Sequence, residues 1–480
     1  MNERSAVNAA PKDVSAEFSR HLAGARFEAL PAATIAATKR SIFDTVGVML
    51  AGSGPHGSAW RIIEMLAQWG GTPSSTVVGH ALRLPAVHAA FANGSMAHQF
   101  DFDDTHDAAV AHPTANSLSA GLAVAETLPE CSGAELLKAI AYANDIVCRL
   151  GLALTGKMYD YSWVTPPMLG IWGATAVSAV LLKLKPEEIE SAFGITLHQT
   201  ASSLECVYAP GSDVRGMRDG FSARNGVTAA YMARSCVHGE HTAFEGRFGF
   251  YPAFFRGDYK REPLVADLGT RFEGQYVSIK PWPSARECHA TLQAILDLRR
   301  DKKIMPANVE RVTLHVGATN LEFCEPAEAR RKPPRRMDAL SSLPFAVAVA
   351  LKHGSVPLLA YSEQGLRDPE LLALTQRVHW KVDEQRSSDG TIEGATVEIE
   401  LRDGKKHKHT VRHGAGHPDA PLSDDIVIRK FQDCGQMAHR PIEEGAGQRF
   451  WSQVQDLERM SVREFAAAVA ALTRSGKGAA

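Results

Sequence analysis

Between His98 and His112 the chain sets four aspartates (Asp101, Asp103, Asp104, Asp107) and three histidines (His98, His106, His112) in fifteen consecutive positions. Apolar, small-residue sequence flanks them: Phe91-Ala-Asn-Gly-Ser-Met-Ala97 before and Ala120-Gly-Leu-Ala-Val-Ala-Glu126 after. Ionisable groups pressed against apolar elements are where pKa values shift, so the segment reads as a catalytic or ligand site.

Two metal-centred chemistries compete for these residues. Asp103-Asp104-Thr105-His106-Asp107 has the DDxxD spacing that aligns carboxylates on a helix face for magnesium and diphosphate, and His106-Asp107 has the dipeptide of metal-dependent phosphohydrolases. A polyphosphate site needs several metal-binding carboxylates, and no second acidic motif follows downstream. A two-residue motif specifies little, and a purely structural polar cluster is the bland alternative. The third reading is metal-free acid–base chemistry, which asks for a base near neutrality, an acid for the leaving group and cations for an anionic substrate. Arg218, Arg224 and Lys280 are candidate cations, and His289 is a further imidazole. Taken singly, an arginine on a helix is more often solvated, and a lone histidine more often satisfies a core.

The surrounding elements must position these groups. From about Pro31 to Arg234 the pattern is helix after helix: Pro31 opens a segment with Ile35, Ile42, Val46 and Leu50 on one face, closed by Gly52. Ser132-Gly-Ala-Glu135 is a capping box, and Pro186-Glu-Glu-Ile-Glu190 puts acids in a first turn. Tyr161 to Leu182 carries no charge, but its prolines and glycines favour a buried helix over a membrane span. After about Lys280 the texture changes. Arg311 to Val316 and Val397 to Leu401 alternate with period two, Asp403-Gly404 signals a hairpin, and Pro344 to Leu351 is helical up to Gly354. Beyond Asp425 the pattern is helical again, to Leu472, before the tail from Ser475. The expected fold is mainly α: a large all-helical domain from residues 14–280 and 426–480, discontinuous, with a smaller α+β domain over 281–425. Arg330-Arg-Lys-Pro-Pro-Arg-Arg336 could neutralise an anion at the cleft but reads better as an exposed loop. Lys405 to His409 reads as the polar half of a hairpin.

At 480 residues and 45% hydrophobic, the chain can bury a large core, and a net charge of −2 creates no field for nucleic acid or an acidic membrane. Seven dispersed cysteines without a CxxC pair argue against zinc ribbons, iron–sulfur ligation and a disulfide framework and suit a reducing cytosol. Met1 to Phe18 contains no apolar signal core. The partners expected are a small molecule or a second copy of the chain.

Several segments together resemble the MmgE/PrpD family, which includes 2-methylcitrate dehydratase, cis-aconitate decarboxylase and iminodisuccinate epimerase. They are Ser41 to Gly52, Asn93-Gly94 with His98 to Thr105, His112-Pro113, Gly220-Phe-Ser-Ala-Arg-Asn-Gly226, Glu245-Gly-Arg-Phe-Gly249, and Lys280-Pro-Trp-Pro283 with His289. The resemblance implies a helical domain with an α+β lid, the site between them, and a cofactor-free cytosolic homodimer acting on a small di- or tricarboxylate by proton transfer beside a carboxylate. By motif, Asp101 and Thr105 would bound the site, His112 would be the base assisted by Asp101, and His289 or His106 would protonate the leaving group. Arg224, Lys280 and Arg218 would bind the substrate. A dehydratase is the first expectation, with an epimerase of an aspartate-derived acid or a cis-aconitate decarboxylase as alternatives and a non-catalytic carboxylate binder as the different class. One departure stands out. Family sequences often show Gly-Phe-His-Pro-Thr where this chain has Ser162-Trp-Val-Thr-Pro166, so Val164, or Thr165 if the alignment slips by one, replaces a histidine.

Overall fold

The computed structural model describes residues 13–156, 160–209, 211–383 and 394–473; the tail from Ser475 and the first twelve residues lie outside this range. A large helical domain carries a smaller α+β domain. One hydrophobic core gathers side chains from Val14 to Ile279 and again from Leu422 to Val469, and a second gathers Ala285 to Val411.

In the helical domain, α1 (Ser15–Ala23), α2 (Ala32–Ser53) and α3 (Ala59–Trp69) precede the short antiparallel pair β1 (Ser75–Val77) and β2 (Leu82–Leu84). Next come α4 (Ala86–Ala97), α5 (Pro113–Ala125), α6 (Gly133–Ala153), α7 (Thr165–Leu181), α8 (Pro186–Leu197) and α9 (Val214–Arg234). The capping box forms as read: Glu135 N–H donates to Ser132 Oγ at 3.2 Å, and Ser132 N–H to Glu135 Oε2 at 3.0 Å. Every residue of α7 is buried, which explains its lack of charge without a membrane. No helix among the described residues is long and apolar enough to cross one.

Gly52 does not close α2; the helix continues to Ser53, with Gly54 as its C-cap. A Cβ on Gly52 would lie 2.1 Å from Met96 O, so the glycine allows the α2 and α4 backbones to meet. The α4–α9 crossing uses the same device, with Gly94 against Asp219 O and Gly220 against Ser95 Oγ. These crossings bring the C-terminal end of α4, where the acidic segment begins, beside the first turns of α9.

The α+β domain contains α10 (His289–Asp301), β3 (Val309–Val316), α11 (Leu343–His353), β4 (Val378–Val382), β5 (Ala395–Leu401) and β6 (Lys406–Val411). The sheet order is β4-β3-β5-β6, with β3 and β4 parallel and the other pairs antiparallel. Gly404, at φ 83°, turns the β5–β6 hairpin, and β6 alternates exposed and half-buried positions from Lys406 to Thr410, its solvated side. The Arg330–Arg336 stretch is the largely exposed loop expected from Lys332 to Arg335, but its two ends are held. Ala327–Arg331 is a helical turn, and the Arg336 guanidinium lies over the Phe100 ring at 4.8 Å while donating to Gln99 O and Oε1. After the sheet the chain returns through α12 (Asp424–Gln436), α13 (Ala446–Gln455) and α14 (Val462–Ala471) to the first core.

Candidate active site

The segment from His98 to His112 leaves α4 and folds back to the start of α5. Phe100 and Phe102 are its apolar anchors, buried with Val48, Ala51, Leu358, Cys434 and Met437. The residues between them point elsewhere. Asp101 adopts φ 47°, a left-handed backbone that costs a non-glycine residue about 1–2 kcal/mol. That strain is held by Lys280, whose Nζ donates to Asp101 O at 3.0 Å and Oδ1 at 2.5 Å, and by Arg215 Nη2, which lies 3.3 Å from Oδ2. Burial opposes the Asp101 charge, but Lys280, His98, Arg215 and His112 outweigh it and hold the carboxyl well below the usual range.

Asp103, fully buried, joins two imidazoles. Oδ1 lies 2.8 Å from His98 Nδ1 and Oδ2 lies 2.9 Å from His112 Nδ1, with the rings edge to face at 5.0 Å. Burial would neutralise Asp103, but His112 and His98 prevail and keep its carboxyl well below the ordinary value. Burial, then the charge of Arg218, pushes the His98 pKa down. The His98 contact is a hydrogen bond, whereas the His112 contact is an ion-pair approach that orients the ring against the buried carboxylate. His112 lines a cleft, so its Nε2 edge is the one a substrate meets.

Asp104 serves the helix. His112 is the N-cap of α5 but gives its backbone no side-chain acceptor. Asp104 does so from the loop, accepting Thr114 N–H at 3.3 Å and Thr114 Oγ1–H at 2.6 Å. This releases the His112 imidazole from capping. Burial pushes the Asp104 carboxyl up to about 6 despite the Thr114 bond.

The other two charged members are also engaged. Asp107 faces Arg286 Nε at 3.0 Å and accepts from Thr105 Oγ1 and Ser278 Oγ. His106 Nδ1 accepts Ala109 N–H at 3.1 Å, and its Nε2 faces Glu273 at 3.7 Å.

Of the residues expected from the sequence, Asp101, Thr105, His106, His112 and Arg218 line one cleft. Lys280 is wholly buried behind Asp101. His289 is also wholly buried, its Nε2 3.4 Å from Ser284 O, and burial followed by the charges of Arg286 and Lys280 holds its pKa well below the usual value. Arg224 stacks on Phe91 and Phe221 at 4.9 and 5.6 Å, away from the cleft. The cations brought to the cleft are Arg215, Arg218, Arg286 and Arg330. Arg215 and Arg218 share a face of α9 by their i, i+3 spacing, a signal present in the sequence. Val164 lines the cleft with Val110, Pro166, Val207 and Phe323, an apolar wall.

Two groups of donor atoms are spaced closely enough to hold a metal ion: His98, Asp103 and His112, and the more exposed His413, His417 and Asp419. In the first, each imidazole meets its own carboxylate oxygen at hydrogen-bond distance, the arrangement of N–H donors oriented by a carboxylate.

The MmgE/PrpD N-terminal domain matches residues 16–262, and the MmgE/PrpD C-terminal domain matches residues 282–454. The chain belongs to the MmgE/PrpD family. Among its relatives, the cis-aconitate decarboxylase-like protein oryM of Aspergillus oryzae is 25% identical over 93% of this chain and 95% of its own length. A cis-aconitate decarboxylase of Aspergillus terreus is 24% identical over 90% of this chain and 91% of its own. The Homo sapiens cis-aconitate decarboxylase is 23% identical over 88% and 87%. This MmgE/PrpD protein matches those relatives over nearly its whole length, and its cleft combines an imidazole held against a buried carboxylate with guanidinium groups.

Proposed function

We propose that this MmgE/PrpD enzyme is a lyase of small di- or tricarboxylates, in which Arg218 and Arg215 hold substrate carboxylates and His112 moves a proton at the adjacent carbon. The observation that carries the reading is Asp103 between His98 and His112. The buried carboxylate orients the His112 ring, with Nδ1 2.9 Å from Oδ2, and in this reading Nε2 takes the proton at the cleft, next to cations that stabilise a developing carbanion or enediolate. Thr105 and Asp101 bound this wall. Asp101, paired with Lys280 and Arg215, acts as a fixed negative charge.

Loss of carbon dioxide is the first reaction to test, supported by the names of the relatives. Loss of water is the second, favoured by the place of His112 at the cleft, because dehydration begins by removing an α-proton. Purified protein is incubated with cis-aconitate and with citrate-like hydroxy acids in D₂O and followed by NMR. The expected result is consumption of one of these acids with deuterium at a carbon beside a carboxylate, lost in His112→Ala. Neither turnover nor exchange with any acid that binds would refute the reading and favour a carboxylate-binding protein. A chelator arm tests the expectation of metal-free chemistry: activity that needs a stoichiometric added metal would overturn it.

A further inference from the structure

We infer that Glu287 is a further catalytic residue of this cleft, the carboxylic acid that carries a proton from the α+β side while His112 works from the helical side. The inference rests on the proton-transfer reading above. It comes first from accounting for every acid and imidazole at the cleft wall. Asp101 is held by Lys280 and Arg215. His106 is engaged at Nδ1 by Ala109 N–H and faces Glu273 through Nε2. Glu322 accepts the Tyr208 hydroxyl at 3.2 Å. The two that remain are His112, whose Nε2 is open, and Glu287, whose carboxylate forms no ion pair among the described residues.

The position of Glu287 is built rather than incidental. It sits in the 3-10 turn Arg286–Cys288, between an arginine and a cysteine whose side chains are buried. Arg286 ties that turn to Asp107 and to Ala415 O, and Asn320 Nδ2 donates to Glu287 O at 3.2 Å. The backbone is therefore anchored on both sides while the side chain, half-buried, lines the cleft. Facing it are Asp101 and His112 from the acidic segment, Lys280 behind Asp101, Arg215 and Arg218 from α9, and Glu322 and Arg330 from its own domain. Burial pushes its carboxyl up, Asp101 adds to this, and Lys280 and His112 oppose it; the net direction is upward, and an anion bound alongside pushes the same way, toward the acid that donates.

The same acid serves either outcome. If carbon dioxide leaves, the C–C bond breaks, its electron pair stays on the substrate carbon, and the Glu287 O–H proton forms the new C–H bond. If hydroxide leaves, the C–O bond breaks with its electron pair and the Glu287 proton completes a water molecule. Glu287 then recovers a proton from solvent.

Two measurements test this separately from the parent reading. First, Glu287→Gln and Glu287→Asp are compared with wild type in the D₂O assay. Glu287→Gln should lower kcat by about 10²–10⁴-fold, the usual worth of a general acid, and Glu287→Asp should recover part of it, with the acid limb of the pH–rate profile displaced. A Gln variant within about threefold of wild type, with an unchanged profile, overturns the role of Glu287 while leaving His112 in place. Second, binding of propane-1,2,3-tricarboxylate, which lacks the double bond and hydroxyl of the test substrates, is measured by calorimetry in buffers of different ionisation enthalpy. An anion arriving beside Glu287 should draw in a proton, and Glu287→Gln should abolish that uptake. Binding with the same uptake in wild type and variant overturns the inference alone; no binding by wild type overturns the carboxylate reading and the inference together.

Discussion

Replacing Asp103 with Asn tests whether the buried carboxylate sets the His112 tautomer. The substitution keeps shape and volume but changes what the two oxygens can do, since an amide has one acceptor and one donor end. At present His98 Nδ1 is hydrogen-bonded to Oδ1 at 2.8 Å, and His112 Nδ1 lies 2.9 Å from Oδ2 as an ion-pair contact. In Asp103→Asn only one imidazole can keep its Nδ1–H, and the other must present a lone pair to the amide and move its proton to Nε2. His98 Nε2 is buried without a hydrogen-bond partner, and an unsatisfied N–H there would cost about 1–3 kcal/mol. His112 Nε2 opens on the cleft, where an N–H can be hydrated. His112 is therefore the ring that switches, and the nitrogen meant to accept a proton becomes a donor. Amide-for-carboxylate changes behind a catalytic imidazole cost about 10⁴-fold in kcat, which is about 5.4 kcal/mol at 1.36 kcal/mol per tenfold. Stability should fall by less, about 1.5–3 kcal/mol for one lost charge-assisted hydrogen bond. The assay is kcat for substrate consumption and deuterium incorporation, beside a urea unfolding curve. A folded Asp103→Asn protein within tenfold of wild-type kcat would refute the tautomer argument.

Arg218→Ala should lower kcat/KM by about 10- to 100-fold, mostly through KM, from the loss of a charge-assisted contact worth about 1.5–3 kcal/mol. Arg224→Ala, which removes stacking on Phe91 and Phe221 and a hydrogen bond to Asn225 Oδ1, should change it by less than about threefold; the reverse ranking would show that the wrong arginine faces the substrate. Asp104→Asn should change how stability depends on pH. The folded-state pKa of Asp104 is raised from 3.8 to about 6, so its contribution is intact below the ordinary value and is lost as pH rises through about 6, by up to about 3 kcal/mol at 1.36 kcal/mol per pH unit. Urea midpoints of wild type and Asp104→Asn should thus diverge in favour of the variant from pH 4 to pH 7.5, and a difference independent of pH would contradict the burial of that carboxyl.

The helices were legible because their signals are local. The Ser132–Glu135 box, Pro186 at a first helical position and Gly354 after a last turn each satisfy or spare backbone groups within a few residues. Gly52 misled because its role is set by Met96, distant in sequence, and a glycine needed for close approach looks like one needed for a stop. The acidic segment was legible as a site but not as a wiring diagram. Asp103 and Asp104 are adjacent and identical in type, yet one holds two imidazoles and the other caps α5, because the left-handed turn at Asp101 decides where each points. Arg215 could have been found from its spacing to Arg218. Glu287 could not, because Lys280 to His289 has no periodicity and its path depends on ties from Arg286 to Asp107 and Ala415.

The proposed anionic substrate has to be reconciled with so acidic a segment. Four carboxylates in a segment beside a cleft that Asp101 lines should repel a polycarboxylate, but each is spent on a partner. Asp101 is held by Lys280 and Arg215, Asp103 by two imidazoles, Asp104 by the α5 terminus and Asp107 by Arg286. Arg218 differs from Arg215 and Arg286 in its own pairing. Its nearest carboxylate, Asp219, is 3.7 Å away and already accepts Asn116 Nδ2–H at 2.7 Å. A substrate carboxylate can supply the close partner that Arg218 lacks, in a half-desolvated cleft where such a pair is worth more than in bulk water. Two of the neutralising cations, Lys280 and Arg286, stand at the junction between the domains, so a shift of the α+β domain would uncover Asp101 and Asp107 as well as move Glu287. Charge balance at the site therefore depends on residues at the junction of the two domains.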